Sequence, residues 1–581
     1  MISLGFIPPA FIQIIAAIIL PIVPKKLRST WFLVSSLSTL IYLWLLPEGT
    51  SPQIEFIGYN IVLLKVDALS KIFAAFFAII TFIAGVYSFH LKDTSQQVAA
   101  LLYGASSIGV TFAGDFITLF IYWELMAVSS LLLIWAQKDN QSHKAGMRYL
   151  IVHLFGGSLL LTGIILHISD TGSILVEQLF SRSSVANWFL IAGIGLNAAI
   201  PPLHAWLPDS YSRATVTGSV FLSALTTKTA VYALARIFPG WEVLLILGIA
   251  MTLYGVIYAV LSNDLRELLA YHIISQVGYM VAGIGIGTEL AINGSTAHAF
   301  SNILYKSLLF MGVGAVIYST GKSKMSELGG LSKQMPITLV LYLIGAFSIS
   351  GFPLLNGFIS KSMIVYAAGE IHNYTAVLLM NLAMVGTFLS TTLKLPYFTW
   401  YYKNEPPKDL EINPIPFNMH LGMGIAGFLC IFFGIAPEFL YKYLPYAVNY
   451  EPYTGSHLVE TAEILIFTFF AFWIFKSKLA ADPMISLDLD WIYRRPKNFA
   501  KRLFIDGVLD VFDLTDIFLK GVVKTLVDFG KNPTRRVTYL ISPVAVKANP
   551  EFDPNTARPT MLFVISGVLL IFVVVVALAI L

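Results

Sequence analysis

The sequence is short of charge. Only 12% of its 581 residues are Asp, Glu, Lys or Arg, while 57% are hydrophobic; a soluble globular domain carries about 25% charged residues. That deficit excludes an ordinary water-soluble enzyme and leaves an all-α, polytopic membrane protein. Cysteine is nearly absent: Cys430 alone, inside an apolar run, excludes an intrachain disulfide. No Cys/His cluster has metal-ligand spacing, so a zinc or iron–sulfur site is not expected. No phosphate-binding loop, dinucleotide fingerprint or nucleophile elbow occurs. The expectation is therefore a chain with no catalytic residue, metal or cofactor of its own. A net charge of +4 spread over this length makes no nucleic-acid surface; the basic residues fall mostly between apolar runs, where they report topology.

What is there is apolar sequence, in runs. Hydrocarbon about 30 Å thick takes about 20 apolar residues per helix, and such runs recur about sixteen times. The N-terminal stretch has no basic region ahead of its apolar run and reads as a retained first helix. Lys25, Lys26 and Arg28, then Lys138, Lys144 and Arg148, then Lys322, Lys324 and Lys333 fall on one side; loops 47–66 and 168–186 are neutral or acidic and fall on the other. The positive-inside rule puts the first set in the cytoplasm and the N-terminus outside, in an inner (cytoplasmic) membrane. The organisation expected is N-terminal membrane helices over 1–96, a core over 97–400 and further membrane helices over 401–476. A polar and amphipathic extension over 477–560 and a last membrane helix over 561–581 follow. In the extension Val508, Val511, Phe512, Phe518, Val522 and Leu526 recur at helical spacing between aspartates, which predicts an amphipathic helix on an interface or on a neighbouring subunit.

Two runs are interrupted, at GLNAAIPPLHAWLPD (195–209) and SGFPLLNGFISK (350–361). Proline removes a backbone donor and glycine loosens a helix, so each run either breaks at membrane depth, as ion-path helices do, or merely kinks.

The charges inside the runs carry the chemistry. A charged side chain at mid-membrane costs about 2.5–3.5 kcal/mol even on lenient scales, so it is ordinarily functional. Glu124 has Phe120 and Val128 one turn either side and needs a base from another helix or is protonated much of the time. Lys228 lies half-way along its run, where it can load and release a proton as an arginine cannot. His298, Asn302 and Lys306 are spaced by four and line one helix face, as do His272, Gln276 and Tyr279. Such stripes suit a hydrated proton wire, or plain helix–helix hydrogen bonds. Lys361 follows the second interruption, where unwound backbone would stabilise it or from which it would snorkel. Lys394 lies nearer a helix end and is expected to snorkel.

These landmarks, in this order (WELMA, PPLHAWLPDSYSRATVTGSVFLSALTTKTAVYALAR, DLRELLAYHIISQVGYM, AHAFSNILYKSLLFMG and GFPLLNGFISK), resemble the antiporter-like subunit family. It is shared by multisubunit monovalent cation/proton antiporters, complex I and membrane-bound hydrogenases; the extension and last helix look most like the D-type component of those antiporters. The resemblance implies about 14 core helices with two inverted five-helix repeats, each holding a broken helix. It also implies proton translocation by Glu124, Lys228, His272, Lys306 and Lys361, with His204, His298, Asn302 and Lys394 as secondary candidates. Most members carry a lysine where this sequence has Asn197, which leaves Lys228 or His204 to partner Glu124. The function implied is a proton-translocating subunit of a Na⁺ or K⁺/proton antiporter, with other membrane subunits, lipid, protons and those cations as partners. The alternative is a proton-pumping subunit of a redox-driven complex.

Overall fold

The computed structural model describes residues 7–403, 405–408, 410–480, 488–495, 499, 501–531, 541 and 561–580. They form two compact units, residues 1–490 and 491–581. The first unit opens with α1 (Ala10–Ile19) and α2 (Arg28–Leu45), then two small antiparallel strand pairs over 49–66, one nested inside the other. It continues with α3 (Ala68–Tyr87), α4 (Thr94–Phe112), α5 (Phe116–Trp135), α6 (Asn140–Thr171), α7 (Val185–Asn197) and α8 (Trp206–Tyr211). Next come α9 (Val216–Ala224), α10 (Thr226–Ile237), α11 (Glu242–Leu261), α12 (Leu265–Ile286) and α13 (Glu289–Thr320). The unit ends with α14 (Pro336–Ile349), α15 (Asn356–Glu370), α16 (Tyr374–Thr387), π-helical turns over Phe388–Lys394 and Tyr397–Tyr401, α17 (Phe417–Ile435), α18 (Glu438–Tyr441) and α19 (Gly455–Phe475).

The scarce acids explain where the helices start. Asp67, Asp93, Asp115, Asp139 and Asp264 are the N-caps of α3, α4, α5, α6 and α12, each accepting from a first-turn amide. A helix start has unpaired N–H groups, and a carboxylate satisfies them and favours the dipole. Gly172, Gly287 and Gly321, all at positive φ, end α6, α12 and α13. Ten helices among the described residues are long and apolar enough to cross a membrane. The broken ones make their crossings in pairs.

Five crossings, α4, α5, α6, α7/α8 and α9/α10, are followed by five of the same pattern: α11, α12, α13, α14/α15 and α16 with its π turns. Five is odd, so the second set starts from the opposite side and the repeats are inverted. The fourth crossing of each is broken, and each break holds a non-glycine residue in the left-handed region, Ala199 (φ 60°) and Leu354 (φ 68°). Such conformations are costly and gather at functional sites. The fifth crossing is irregular too. Leu225 (φ −98°, ψ −71°) separates α9 from α10, and the amide of Thr226 donates to the Tyr103 hydroxyl at 3.0 Å. α13 packs against α9, α12, α14, α15 and α17 and is the axis of the unit.

The second unit contains the helix Gly507–Lys531, with the six apolar residues of the expected stripe all exposed within this chain, and the apolar helix Met561–Ile580.

Candidate functional site

Three lysines lie at the heart of the first unit, each held by a backbone carbonyl. Lys228, in the first turn of α10, donates to the Ser223 carbonyl at 2.7 Å, across the Leu225 interruption. Lys306 of α13 donates to the Leu269 carbonyl of α12 at 2.9 Å. Lys361 of α15 donates to the Ile349 carbonyl at the end of α14 at 2.7 Å. Its ammonium also stands 4.9 Å from the centre of the Tyr279 ring, a favourable placing for a cation. All three are buried, and none is ion-paired with a described residue. Lys306 lies within Coulombic reach of both Lys228 and Lys361.

Polar side chains around them are linked by hydrogen bonds. His272 Nε2 is 2.6 Å from Ser390 Oγ, in the π turns after α16. The Tyr305 hydroxyl donates to Gln276 Oε1 at 3.2 Å and accepts from Asn302 Nδ2 at 3.0 Å. It is also 3.4 Å from His298 Nε2, whose other ring nitrogen is 3.1 Å from Ser360 Oγ, the neighbour of Lys361 in sequence. The two stripes therefore do meet. Tyr305, between Asn302 and Lys306 in sequence, joins them.

Beyond Lys361 a cavity of about 640 Å³ is lined by Glu370, Glu451, Glu460 and His457 as well as by Lys361 itself. Carboxylates around an opening raise the local concentration of cations and protons. The choice left open for Lys361 falls to the broken helix: the residue is buried at the break and does not snorkel. Lys394 departs from expectation. It is 3% exposed, and its ammonium caps the end of α11, donating to the carbonyls of Val260 at 2.5 Å and Ser262 at 3.4 Å. Helix ends leave carbonyls unpaired and carry negative partial charge, which holds a lysine inside.

Glu124 is not brought to either expected partner. Lys228 is engaged at Ser223, and Glu124 is half-buried with Oε1 facing α6 and no hydrogen bond to a described residue. That oxygen lies so close to Gly157 that a side chain there would have to displace it. His204 is taken by the polar extension: its Nε2 is 3.1 Å from both carboxylate oxygens of Asp488, which also accepts from Tyr271 at 2.7 Å and from Tyr254. Burial would raise the pKa of the Asp488 carboxyl, but His204 and the two hydroxyls outweigh it and bring it down to about 2.

Sequence reasoning missed Tyr305, Ser360, Asp488 and His153. For His153 the signal was present: Tyr149, His153 and Gly157 are spaced by four in α6, the spacing that picked out the α13 stripe. Asp488 gave no signal, because its partners are more than 200 residues away in sequence. No group of three or more metal-ligating side chains occurs among the described residues.

Residues 113–390 match the membrane domain described as NADH:quinone oxidoreductase/Mrp antiporter, TM. The chain is 32% identical over 286 residues to the D-type component of the Na(+)/H(+) antiporter of Alkalihalophilus pseudofirmus, covering 46% of this chain and 58% of that one. It is 32% identical over 319 residues to the N-type component of the NADH-quinone oxidoreductase of Desulforudis audaxviator, covering 51% and 64%. Each alignment spans less than two thirds of the relative's length. In fold it is similar to a chain of the membrane-bound sulfane sulfur reductase, an archaeal respiratory membrane complex, with a TM-score of 0.71, 23% identity and coverage of 90% and 100%. Residues 113–390, which hold most of the two inverted five-crossing repeats and both broken helices, thus carry the membrane domain shared by Mrp antiporters and NADH:quinone oxidoreductase.

Proposed function

We propose that this chain is a proton-translocating subunit of a multisubunit membrane complex, a monovalent cation/proton antiporter exchanging H⁺ for Na⁺ or K⁺. The observation that carries the reading is the series Lys228, Lys306, Lys361. Three ammonium groups lie deep in the chain, each on a neutral carbonyl and none ion-paired with a described carboxylate. A lysine locked to a carboxylate stays charged, whereas one held by a carbonyl can give up its proton as the neighbouring charge changes. Lys306 feels both of the others, so a proton lost at Lys361 to the acid-lined cavity favours loading at Lys306, and so back to Lys228 and Glu124. His272, His298, Asn302 and Tyr305 supply exchangeable hydrogen bonds along the way. The proposed setting is the inner (cytoplasmic) membrane with the N-terminus outside, beside other membrane subunits; the cation would use a path shared with them. The likeness to the D-type component of a Na(+)/H(+) antiporter supports this choice.

The test is proton movement in proteoliposomes holding the complete complex, driven by an imposed Na⁺ or K⁺ gradient. Lys228→Ala and Lys306→Ala are expected to lower it at least ~10-fold, which corresponds to about 1.4 kcal/mol. Proton movement that ignores cation gradients but follows electron transfer would assign the chain to a redox-driven complex. Neutralising Glu124 and Lys361 without effect would leave only a scaffold.

A further inference from the structure

The first repeat lacks a lysine at its broken helix, where α7 ends on Asn197, a side chain that cannot hold a proton's charge. A titratable base is nevertheless buried at the same junction. His153 of α6 is 3% exposed. Its ring packs on Tyr149 with 4.0 Å between centres and edge-on to Trp206, the first residue of α8, at 4.6 Å. The Asn197 amide adjoins it, yet neither ring nitrogen and neither amide atom completes a hydrogen bond with another described residue.

The same face of α6 meets Glu124. Gly157 is four residues beyond His153, one turn along that face, and Glu124 Oε1 lies directly against it. That oxygen too is buried with no described partner. The Cβ of His153 and the Glu124 oxygen thus stand about one helical turn apart along this face, a span that bridging water can complete. Other candidate bases are engaged elsewhere: Lys228 at Ser223, His204 at Asp488.

We propose that His153 is the proton-exchanging partner of Glu124 in this chain, at the junction that Asn197 leaves neutral. In the step, the carboxyl O–H bond of Glu124 breaks and an N–H bond forms on the imidazole, by way of bridging water that accepts one proton and donates another. Carboxylate and imidazolium result, and no electrons change hands. Tyr149 and Trp206 clamp the ring, and the Tyr149 hydroxyl is itself fixed on Ser130 of α5 at 2.7 Å. The role of the ring is chemical, and that of its two aromatic neighbours is positioning.

This inference rests on the proton-translocation reading above, and its test separates the two. In proteoliposomes of the complete complex, His153→Gln is expected to lower proton flux at least ~10-fold, and adding Asn197→Lys to it to restore at least half, since an amine then returns to the junction. A packing role would not respond to a base placed on another helix. As a second pair, His153→Lys should sustain flux and His153→Arg should not, because lysine can release its proton and arginine cannot; this comparison holds even where His153→Gln fails to assemble. Full flux in His153→Gln, or equal loss in the Lys and Arg variants, would overturn the proposal while Glu124→Gln and Lys228→Ala remain inactive. If those two also leave flux unchanged, the translocation reading itself fails.

Discussion

His204 and Asp488 are 284 positions apart in sequence, and both carboxylate oxygens of Asp488 are 3.1 Å from the same imidazole nitrogen. The contact ties the polar extension to the first broken helix. The Asp488 pKa of about 2 lies below the ordinary value near 3.9. Its stabilisation is therefore complete above about pH 4 and is lost as pH falls from there toward 2. Asp488→Asn is expected to speed amide exchange of Leu489, whose N–H donates to Asp488, severalfold at neutral pH. Wild-type protein should show the same loss of protection only below pH 4. Equal protection in variant and wild type would mean that the carboxylate does not hold the segment.

Lys361 offers a sharper test of proton loading than a simple deletion of charge. Lys361→Arg keeps a cation above the Tyr279 ring, and Lys361→Met keeps the length of the stem. Both are expected to lose at least ~10-fold in proton flux, because neither can take up and release a proton at this carbonyl. Flux sustained by the arginine would show that fixed charge suffices there.

Asp67 closes the start of α3 with Ser70 and receives Arg236 at 2.5 and 2.7 Å. Its carboxyl is partly exposed, so the ion pair is worth about 0.5–1 kcal/mol. Asp67→Asn, which can still cap, should therefore lose less than about 1 kcal/mol. Asp67→Ala, which cannot, should lose about 1–2 kcal/mol. Thermal melts of the purified protein would order the two, and the reverse order would refute the capping role.

Much of this was legible in the residues. The breaks announced themselves because Pro201, Pro202, Gly351 and Pro353 interrupt apolar runs, and the α13 stripe because an i, i+4 spacing needs no tertiary knowledge. The position of Lys394 was not legible: from sequence it looked like a residue near a helix end, and only the packing shows that the end it meets belongs to α11. Glu124 illustrates the same limit. Its own helix shows that it needs company, but which face of α6 supplies that company depends on Gly157, a residue with no side chain to advertise it.

Helices α11 and α12 approach backbone to backbone. A Cβ on Gly278 would meet the Gly248 carbonyl oxygen at 2.6 Å, and one on Gly255 would meet backbone of Ser275 and Tyr271 at 2.5 Å. Gly248→Ala or Gly278→Ala should therefore part the helices and cost about 1–3 kcal/mol, seen as a lower melting temperature. Gly369→Ala, with nothing within 4 Å, should leave it unchanged. A melting temperature unmoved by the first pair would contradict so close a contact.

That seam also has a mechanical meaning. The carbonyl that receives Lys306 belongs to α12, and those that receive Lys394 belong to the end of α11. With backbone in contact at Gly248, Gly255 and Gly278, the two helices make a single stiff strut. A displacement that changes the reach of one lysine to its acceptor must change the other in the same stroke, so the second repeat has one lever with two grips.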